Sequence, residues 1–218
     1  MDRPGVLVFS RTADYRHDSI PAATEALARL ADADGLHAAA TEDPADLSPE
    51  RLARAAAVVF VSTSGEVLDR RAHDALQAYV RAGGGFLGIH GASASNYGWP
   101  WYQALVGAAF TQHPAEQAAD VVREDARHPA TSALPDRWRW TDEWYDFQAS
   151  PRAHVRVLLS VDETTYEGGG MGDHPISWCH DFEGGRSFYT ALGHSIASWS
   201  DPLLLAHVRG ALRWVAGR

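Results

Sequence analysis

The chain has 218 residues, of which 45% are hydrophobic and 22% are charged, with a formal net charge of −9. This length suits one α/β domain, so we expect a single domain over residues 1–218. The acidic balance disfavours a nucleic-acid groove, and no apolar run is long enough to predict a membrane-spanning helix. We therefore expect neither nucleic acid nor membrane as a partner.

The single cysteine, Cys179, excludes an internal disulfide and favours a reducing, cytoplasmic location. The first ten residues, "MDRPGVLVFS", enter a strand directly. They lack the basic start, long apolar core and cleavage site of a signal peptide. Both observations predict a cytoplasmic protein.

The first half of the chain alternates short apolar runs with helical segments. The predicted strands are 5–10, 36–41, 56–62 and 86–89, and the clearest predicted helices are 19–34 and 69–82. This β-α-β alternation predicts a parallel sheet with helices on both faces. Ligands bind beyond the carboxyl ends of such strands, so the loops after residues 10, 62 and 90 should share one rim.

The second half of the chain is less regular. Further strands, some of them antiparallel, are predicted near 117–123, 138–147, 154–161, 175–182 and 186–192. The stretch Glu183-Gly184-Gly185 is typical of a hairpin turn. A short helix near 99–106 and a last helix from 201 or 202 to about 216 complete the prediction.

The stretch "GGGFLGIHGAS" at 83–93 is the first candidate for chemistry. A buried strand ends among small residues, as in a strand-to-helix elbow that presents a reactive side chain. The residue at the tip is His90, which suits a general base, a hydrogen-bond donor or a metal ligand better than an acyl nucleophile. The alternative is a structural histidine bonded to neighbouring backbone.

The stretch "TDEWYDF" at 141–147 places a carboxylate, Glu143, between aromatic rings. Partial burial would raise the pKa of such a carboxyl group and suit it to acid-base work, or it would coordinate a metal. The alternative is a surface carboxylate beside packed aromatic rings. Rings beside carboxylates and imidazoles are also typical of sugar-binding surfaces.

Two more histidines fall on the predicted rim. His17 lies in the loop after the first strand. His194 directly follows Gly193 at the end of a strand, and His90 likewise ends a strand two residues after Gly88. With His90 and Glu143 they are the candidate catalytic residues, and the three histidines are candidate ligands of a divalent metal such as zinc. No short-range metal-binding spacing supports that site, so its ligands would come from separate loops. The candidate substrate-binding residues are Arg16, Ser93, Tyr97, Trp99, Trp144, Tyr145 and His174.

Two other motifs predict nothing catalytic. Cys179 lies mid-strand in an aromatic run, which indicates a packed thiol. "GGG" at 83–85 precedes a strand, so it is not a phosphate loop and no nucleotide cofactor is expected. The aromatic segment 97–102 is either a pocket wall or a contact in a homo-oligomer.

Several motifs together resemble the ThuA-like, or trehalose-utilisation, family of the class I glutamine amidotransferase-like superfamily. They run in order along nearly the whole chain: "FSRTADYRHDSI", "GGGFLGIHGASASNYGWPWYQALVGAAF", "TDEWYDF", "MGDHPISWCHDFEGGRSFYTALGH" and "DPLLLAHVRGALRWV". The resemblance implies a flavodoxin-like three-layer α/β sandwich. In true class I amidotransferases the elbow carries a cysteine, whereas here it carries His90, so thiol glutaminase activity is not expected.

The resemblance also implies a role in carbohydrate catabolism, on trehalose or a related disaccharide. The family is thought to act beside sugar dehydrogenases that make 3-keto-glycosides, so functional pairing with such an enzyme is expected. One hypothesis is an isomerase, lyase or hydrolase acting by His/Glu acid-base or metal-assisted chemistry, with His90 as base or ligand, Glu143 as its partner, and His194 or His17 as oxyanion donor. The other is a non-catalytic sugar-binding module.

Overall fold

A nine-stranded sheet forms the centre of the computed structural model, which describes residues 5–217. The helices are α1 Ile20–Ala33, α2 Pro49–Leu52, α3 Arg70–Arg81, α4 Pro100–Val106 and α5 Pro202–Val215. The strands are β1 Gly5–Phe9, β2 His37–Thr41, β3 Ala55–Val61, β4 Gly85–Ile89, β5 Phe110–Gln112, β6 Gln117–Arg123, β7 Arg137–Asp142, β8 Asp146–Phe147, β9 Arg156–Asp162, β10 Pro175–Phe182 and β11 Gly185–Thr190. Within residues 5–217, no helix has the length and apolar character needed to cross a membrane.

The strand order in the large sheet is β2-β1-β3-β4-β11-β10-β9-β6-β7. The first five strands are parallel, and the remaining four continue the sheet with antiparallel pairs. This confirms the predicted α/β class with a parallel sheet and antiparallel additions from the second half of the chain. The flavodoxin-like description remains a prediction.

Buried apolar runs form the parallel strands, and helices cover them. The crossover from β1 to β2 runs along the sheet in the opposite direction to the crossover from β3 to β4. Right-handed connections therefore put α1 and α3 on opposite faces. Asp69 caps the N-terminus of helix α3, since its Oδ1 accepts a hydrogen bond from the N–H of Ala72 at 2.8 Å. The helix buries an apolar stripe that includes Leu76 and Val80.

The loops after β1, β3 and β4 meet at one edge of the sheet, as the sequence predicted. Thr12 pairs with Ser64, and Gly65 pairs with Ser95, in isolated parallel bridges. The Ser64 hydroxyl also donates to the carbonyl of Tyr15 at 2.6 Å. These contacts fix the rim on which the candidate site lies.

Two boundaries differ from the sequence prediction. The predicted strand at 138–147 is two strands, β7 and β8, because the chain leaves the sheet after Asp142, and β8 then pairs with β5 in a small separate sheet. The hairpin between β10 and β11 turns on Glu183 and Gly184, both at positive φ (47° and 100°), so Gly185 already belongs to β11.

Candidate functional site

Four side chains from four separate loops converge at the rim. His17 follows β1, His90 follows β4, Glu143 follows β7 and His194 follows β11. One ligand atom from each lies within 4.8 Å of those of the other three. We call these four residues the His–Glu cluster, and they are the four that the sequence singled out as catalytic candidates.

The backbone at His90 holds the imidazole on the elbow. Its φ of 51° lies in the left-handed region, and β4 gives way there to a short 3-10 turn rather than directly to an α-helix. A Cβ at Gly91 would lie 2.8 Å from the carbonyl oxygen of Thr63, so only glycine fits this close approach. His90 Nδ1 lies 2.7 Å from the carbonyl oxygen of Ala191, which can only accept. Nδ1 therefore carries the hydrogen, and in the neutral ring the Nε2 lone pair faces the cluster.

His17 faces His90 across the cluster. Its Nε2 lies 3.1 Å from His90 Nε2, and the side chain is 5% exposed. Burial, together with the charges of His90 and the other nearby histidines, outweighs the attraction of Glu143 and lowers the pKa of His17 to about 3. The ring is therefore neutral at physiological pH, as a metal ligand must be.

Glu143 lies between three of the histidines. Its Oε2 is 3.1 Å from His194 Nδ1, 3.4 Å from His90 Nε2 and 4.0 Å from His17 Nε2. Burial alone would raise its pKa, but the neighbouring His194 and His90 outweigh burial and hold the pKa well below its usual range. The same contact raises the pKa of His194. Glu143 is thus an anion, contrary to the raised pKa expected from the sequence.

Asp142 fixes the two loops that carry Glu143 and His194. The buried carboxylate accepts hydrogen bonds from the N–H groups of Gly193 at 2.9 Å, His194 at 3.1 Å and Glu143 at 3.0 Å. The indole N–H of Trp140 adds a fourth at 3.0 Å. Asp142 belongs to the "TDEWYDF" stretch, but no role was predicted for it from the sequence. Its position directly before Glu143 was the only signal.

Tyr145 and His113 complete the wall around Glu143. The Tyr145 hydroxyl lies 2.9 Å from His90 Nε2, and burial raises the pKa of this phenol well above 10, so it is a donor. His113 Nε2 lies 3.5 Å from Glu143 Oε1 with the side chain 32% exposed. Its Nδ1 lies 2.8 Å from the carbonyl oxygen of Pro114 and carries the hydrogen. The sequence analysis missed His113 because it stands in no motif.

Two exposed aromatic rings flank this opening. Tyr15 is 65% exposed and its ring meets the ring of His17 edge to face at 4.7 Å. Tyr97 is 46% exposed and donates its hydroxyl to the carbonyl of Phe110. Exposed rings beside polar groups form a surface that can stack on a ligand. Tyr97 was a predicted substrate-binding residue, whereas Tyr15 was not.

Other predicted substrate-binding residues contact protein groups instead of the cluster. Ser93 is buried against the Tyr189 hydroxyl at 2.8 Å, and Trp99 stacks on His73 with ring centres 3.9 Å apart. The buried Trp144 donates to the carbonyl of Gln117 at 3.0 Å. Arg16, which is exposed, forms a two-pronged ion pair with Glu42, and His174 is buried against Glu163.

The donor set of the His–Glu cluster fits a divalent metal ion. A tetrahedral ion with ligand distances of about 2.0–2.1 Å has ligand atoms about 3.3 Å apart. The cluster gives 3.1 Å between His17 and His90, 3.1 Å between His194 and Glu143, and 3.4 Å between His90 and Glu143, while the His17–Glu143 distance is longer at 4.0 Å. His17 Nδ1 has no hydrogen-bond partner among the described residues. No second contact therefore decides which ring nitrogen carries the hydrogen, and Nε2 is free to offer its lone pair to an ion. Imidazole and carboxylate donors of this kind favour zinc or a similar ion.

The cysteine is far from this chemistry. Cys179 lies mid-strand in β10, 2% exposed, and burial raises the pKa of its thiol to about 12. It is the only cysteine of the sequence. The elbow after β4 presents His90, whereas the thiol lies in β10.

The family model for ThuA, described as trehalose utilisation, matches residues 5–215. The chain belongs to the ThuA family. Among curated proteins none matches the sequence.

Several solved structures are similar to this chain. A ThuA-like protein from Bacteroides uniformis is 25% identical, with a TM-score of 0.82 over 98% of this chain and 91% of that one. A ThuA-like protein from Parabacteroides merdae is 20% identical, with a TM-score of 0.79 over 99% and 90%. A cytoplasmic protein from Salmonella typhimurium is 13% identical, with a TM-score of 0.68 over 96% and 98%. The latter two show the shared fold alone.

Proposed function

We propose that this ThuA family protein is a metal-dependent enzyme of carbohydrate catabolism that abstracts a proton beside the carbonyl of an oxidised sugar. The observation that carries the proposal is the convergence of His17, His90, Glu143 and His194 within 4.8 Å. Three imidazoles and one carboxylate are a ligand set for zinc-like ions. An ion held by these four residues would polarise a carbonyl oxygen of the substrate and stabilise the negative charge that develops on it.

His113 is the proton acceptor in this proposal. Its Nδ1–H is committed to the carbonyl of Pro114, so Nε2 presents a lone pair beside Glu143. It is more exposed than Glu143, at 32% against 12%, and therefore open to a substrate. A carbonyl makes the neighbouring C–H acidic, and the proton passes from that carbon to His113 Nε2 while the electron pair becomes an enolate. Return of the proton to the opposite face of the same carbon gives epimerisation. Expulsion of the glycosidic oxygen, which takes the proton from His113 as it leaves as an alcohol, gives elimination.

A sugar is the substrate class that the surroundings favour. Tyr15 presents an exposed ring against His17. Tyr97 presents one beside Phe110, whose ring packs on Tyr145. Such rings stack on the C–H face of a pyranose. The family description, trehalose utilisation, points to the same class. A 3-keto-glycoside made by a sugar dehydrogenase would supply the carbonyl that the chemistry needs, so we propose that dehydrogenase as the functional partner.

The cytoplasm is the location that we propose. The lone thiol, Cys179, is buried and unpaired, as suits a reducing compartment. The Salmonella typhimurium neighbour is described as a cytoplasmic protein.

Incubation with 3-keto-trehalose in D2O, followed by NMR, tests this function. The metal-loaded protein should exchange the hydrogen beside the carbonyl for deuterium, or convert the sugar. His113→Asn should lower this rate about 10²–10⁴-fold with its metal content unchanged. The exposed His154→Asn is the matched control and should behave as wild type. Saturable sugar binding with neither exchange nor conversion would contradict the proposal and favour a non-catalytic sugar-binding module.

A further inference from the structure

A second group of potential ligands lies on the other side of Tyr145. Asp146, Glu163 and His174 each bring one ligand atom within 4.8 Å of those of the other two. Asp146 and His174 are 5% and 1% exposed, and Glu163 is half-buried. The His–Glu cluster contains none of these residues. We call this group the Asp–Glu–His cluster.

His174 has one ring nitrogen committed and one that faces an acceptor. Nε2 lies 2.9 Å from the carbonyl oxygen of Tyr145, which can only accept, so Nε2 carries the hydrogen. In the neutral ring Nδ1 is then a lone pair, which accepts from the Tyr166 hydroxyl at 3.0 Å and also lies 2.8 Å from Glu163 Oε1. The hydroxyl has a single hydrogen, so it does not also separate Nδ1 from the carboxylate oxygen. A cation, or a second proton on the ring, would place positive charge between these two acceptors.

The hydrogen bonds of Glu163 show which of its atoms are engaged. Oε1 accepts from the N–H of Met171 at 2.8 Å, and Oε2 accepts from the N–H of Gly172 at 2.8 Å. A Cβ at Gly169 would lie 2.7 Å from the Glu163 carboxyl carbon, so this glycine-rich loop closes directly over the carboxylate. The carboxylate is thus oriented by backbone and holds one face toward His174.

Asp146 supplies the observation that decides between a proton and a cation. Its Oδ2 accepts from the side-chain N–H of Gln112 at 3.2 Å, but its buried Oδ1 has no hydrogen-bond partner among the described residues. A buried carboxylate oxygen without a partner is costly. Among residues 5–217, no arginine forms an ion pair with Asp146 or Glu163. A second proton on His174 would leave Asp146 Oδ1 unsatisfied, whereas a bound cation would satisfy it as well.

We propose that Asp146, Glu163 and His174 form a second divalent-cation site, which takes an ion such as Mn²⁺ or Zn²⁺. Two carboxylates and one imidazole are hard and borderline donors that suit these ions. The site is connected to the His–Glu cluster through Tyr145. The Nε2–H of His174 donates to the Tyr145 carbonyl, and the Tyr145 hydroxyl contacts His90, so an ion bound here would stabilise the position of Tyr145. This second ion is structural and does not depend on the proposed sugar chemistry.

Metal stoichiometry of variants tests this site separately from the first one. Protein stripped with a chelator and reloaded with Mn²⁺ should bind two ions per chain in wild type. It should bind one in Asp146→Asn, one in His90→Asn and none in the double variant. Anomalous scattering from crystals of the His90→Asn variant should place its remaining ion beside His174. Equal ion counts in wild type and Asp146→Asn would overturn the second site, whereas equal counts in wild type and His90→Asn would overturn the first.

Thermal unfolding provides a readout if Asp146→Asn folds poorly. Mn²⁺ binds only the native state, so it should raise the Tm of His90→Asn in a concentration-dependent manner. Glu163→Gln in the same background keeps the side-chain shape and removes one ligand charge, and it should abolish that increase. An increase that persists in the His90→Asn/Glu163→Gln double variant would overturn the proposal.

Discussion

The Nε2 atoms of His17 and His90 lie 3.1 Å apart, although 73 positions separate the two residues in the chain. The Nδ1–H of His90 is committed to Ala191, so its Nε2 is an acceptor in the neutral ring. The Tyr145 hydroxyl lies 2.9 Å from the same atom, and both contacts therefore compete for one lone pair. A metal ion bound to these nitrogens would remove this competition.

Asp142→Asn should weaken both the fold and the metal site. The carboxylate accepts four N–H donors, and an amide places its own N–H group against some of them. We expect a loss of about 2–4 kcal/mol in the free energy of unfolding, measured by urea titration. Because Asp142 orients Glu143 and His194, metal affinity should fall about 10–100-fold.

Asp181→Asn is the control for this prediction, since Asp181 is exposed on β10. It should change the unfolding free energy by less than about 0.5 kcal/mol. An Asp142→Asn protein as stable as this control would show that the carboxylate does not hold the two loops.

His207 should make the protein sensitive to acid. The ring is 1% exposed, its Nδ1–H bonds to the carbonyl of Ala130, and burial lowers its pKa to about 4 from an unfolded value near 6.5. The unfolded chain therefore binds more protons between these values. The contribution of the neutral His207 ring to the free energy of unfolding is complete above about pH 6.5. It decreases as the pH falls, by roughly 3 kcal/mol at pH 4.

Urea unfolding of the metal-free protein at pH 7 and pH 4 measures this effect. His207→Asn should lose less stability than wild type over that interval, because the titrating ring is gone. The exposed His154→Asn should keep the wild-type slope. A His207→Asn slope equal to that of wild type would contradict the prediction.

Cys179 should be unreactive in the folded protein. Burial raises the pKa of this thiol to about 12, so little thiolate is present at neutral pH. A thiol-specific chromogenic disulfide should label native protein at least 100-fold more slowly than urea-unfolded protein, as roughly expected from burial. No glutaminase activity should accompany the native protein, and Cys179→Ala should leave any sugar turnover unchanged. Rapid native labelling would contradict the burial of Cys179.

Local sequence patterns predicted most of the parallel half of the fold. The apolar spacing at 69–82 predicted α3 within one residue of its observed bounds, Arg70–Arg81. The pattern of a strand followed by small residues and a histidine selected His90 and His194, both of which reach the cluster. These predictions succeeded because the carboxyl ends of parallel strands meet at one edge.

Long-range contacts explain what the sequence did not show. The alternating sequence pattern in 138–147 continues through Glu143 and so predicted one strand. In the structure β7 ends at Asp142, whose carboxylate accepts hydrogen bonds from the backbone N–H groups of Gly193 and His194. Trp99 is a residue type that often stacks on sugars, but here its ring stacks on His73. His113 enters the site only because its loop folds back beside Glu143. None of these partners is visible in local spacing.

The metal content of purified wild-type protein and of His90→Asn, measured by inductively coupled plasma mass spectrometry, shows whether the His–Glu cluster binds a metal ion. Asparagine tolerates the positive φ at this position, so the variant removes the ligand with little backbone strain. We expect a transition metal in the wild type and one ion fewer per chain in His90→Asn, with the exposed His154→Asn unchanged. Wild-type and His90→Asn proteins with the same metal content would contradict this expectation.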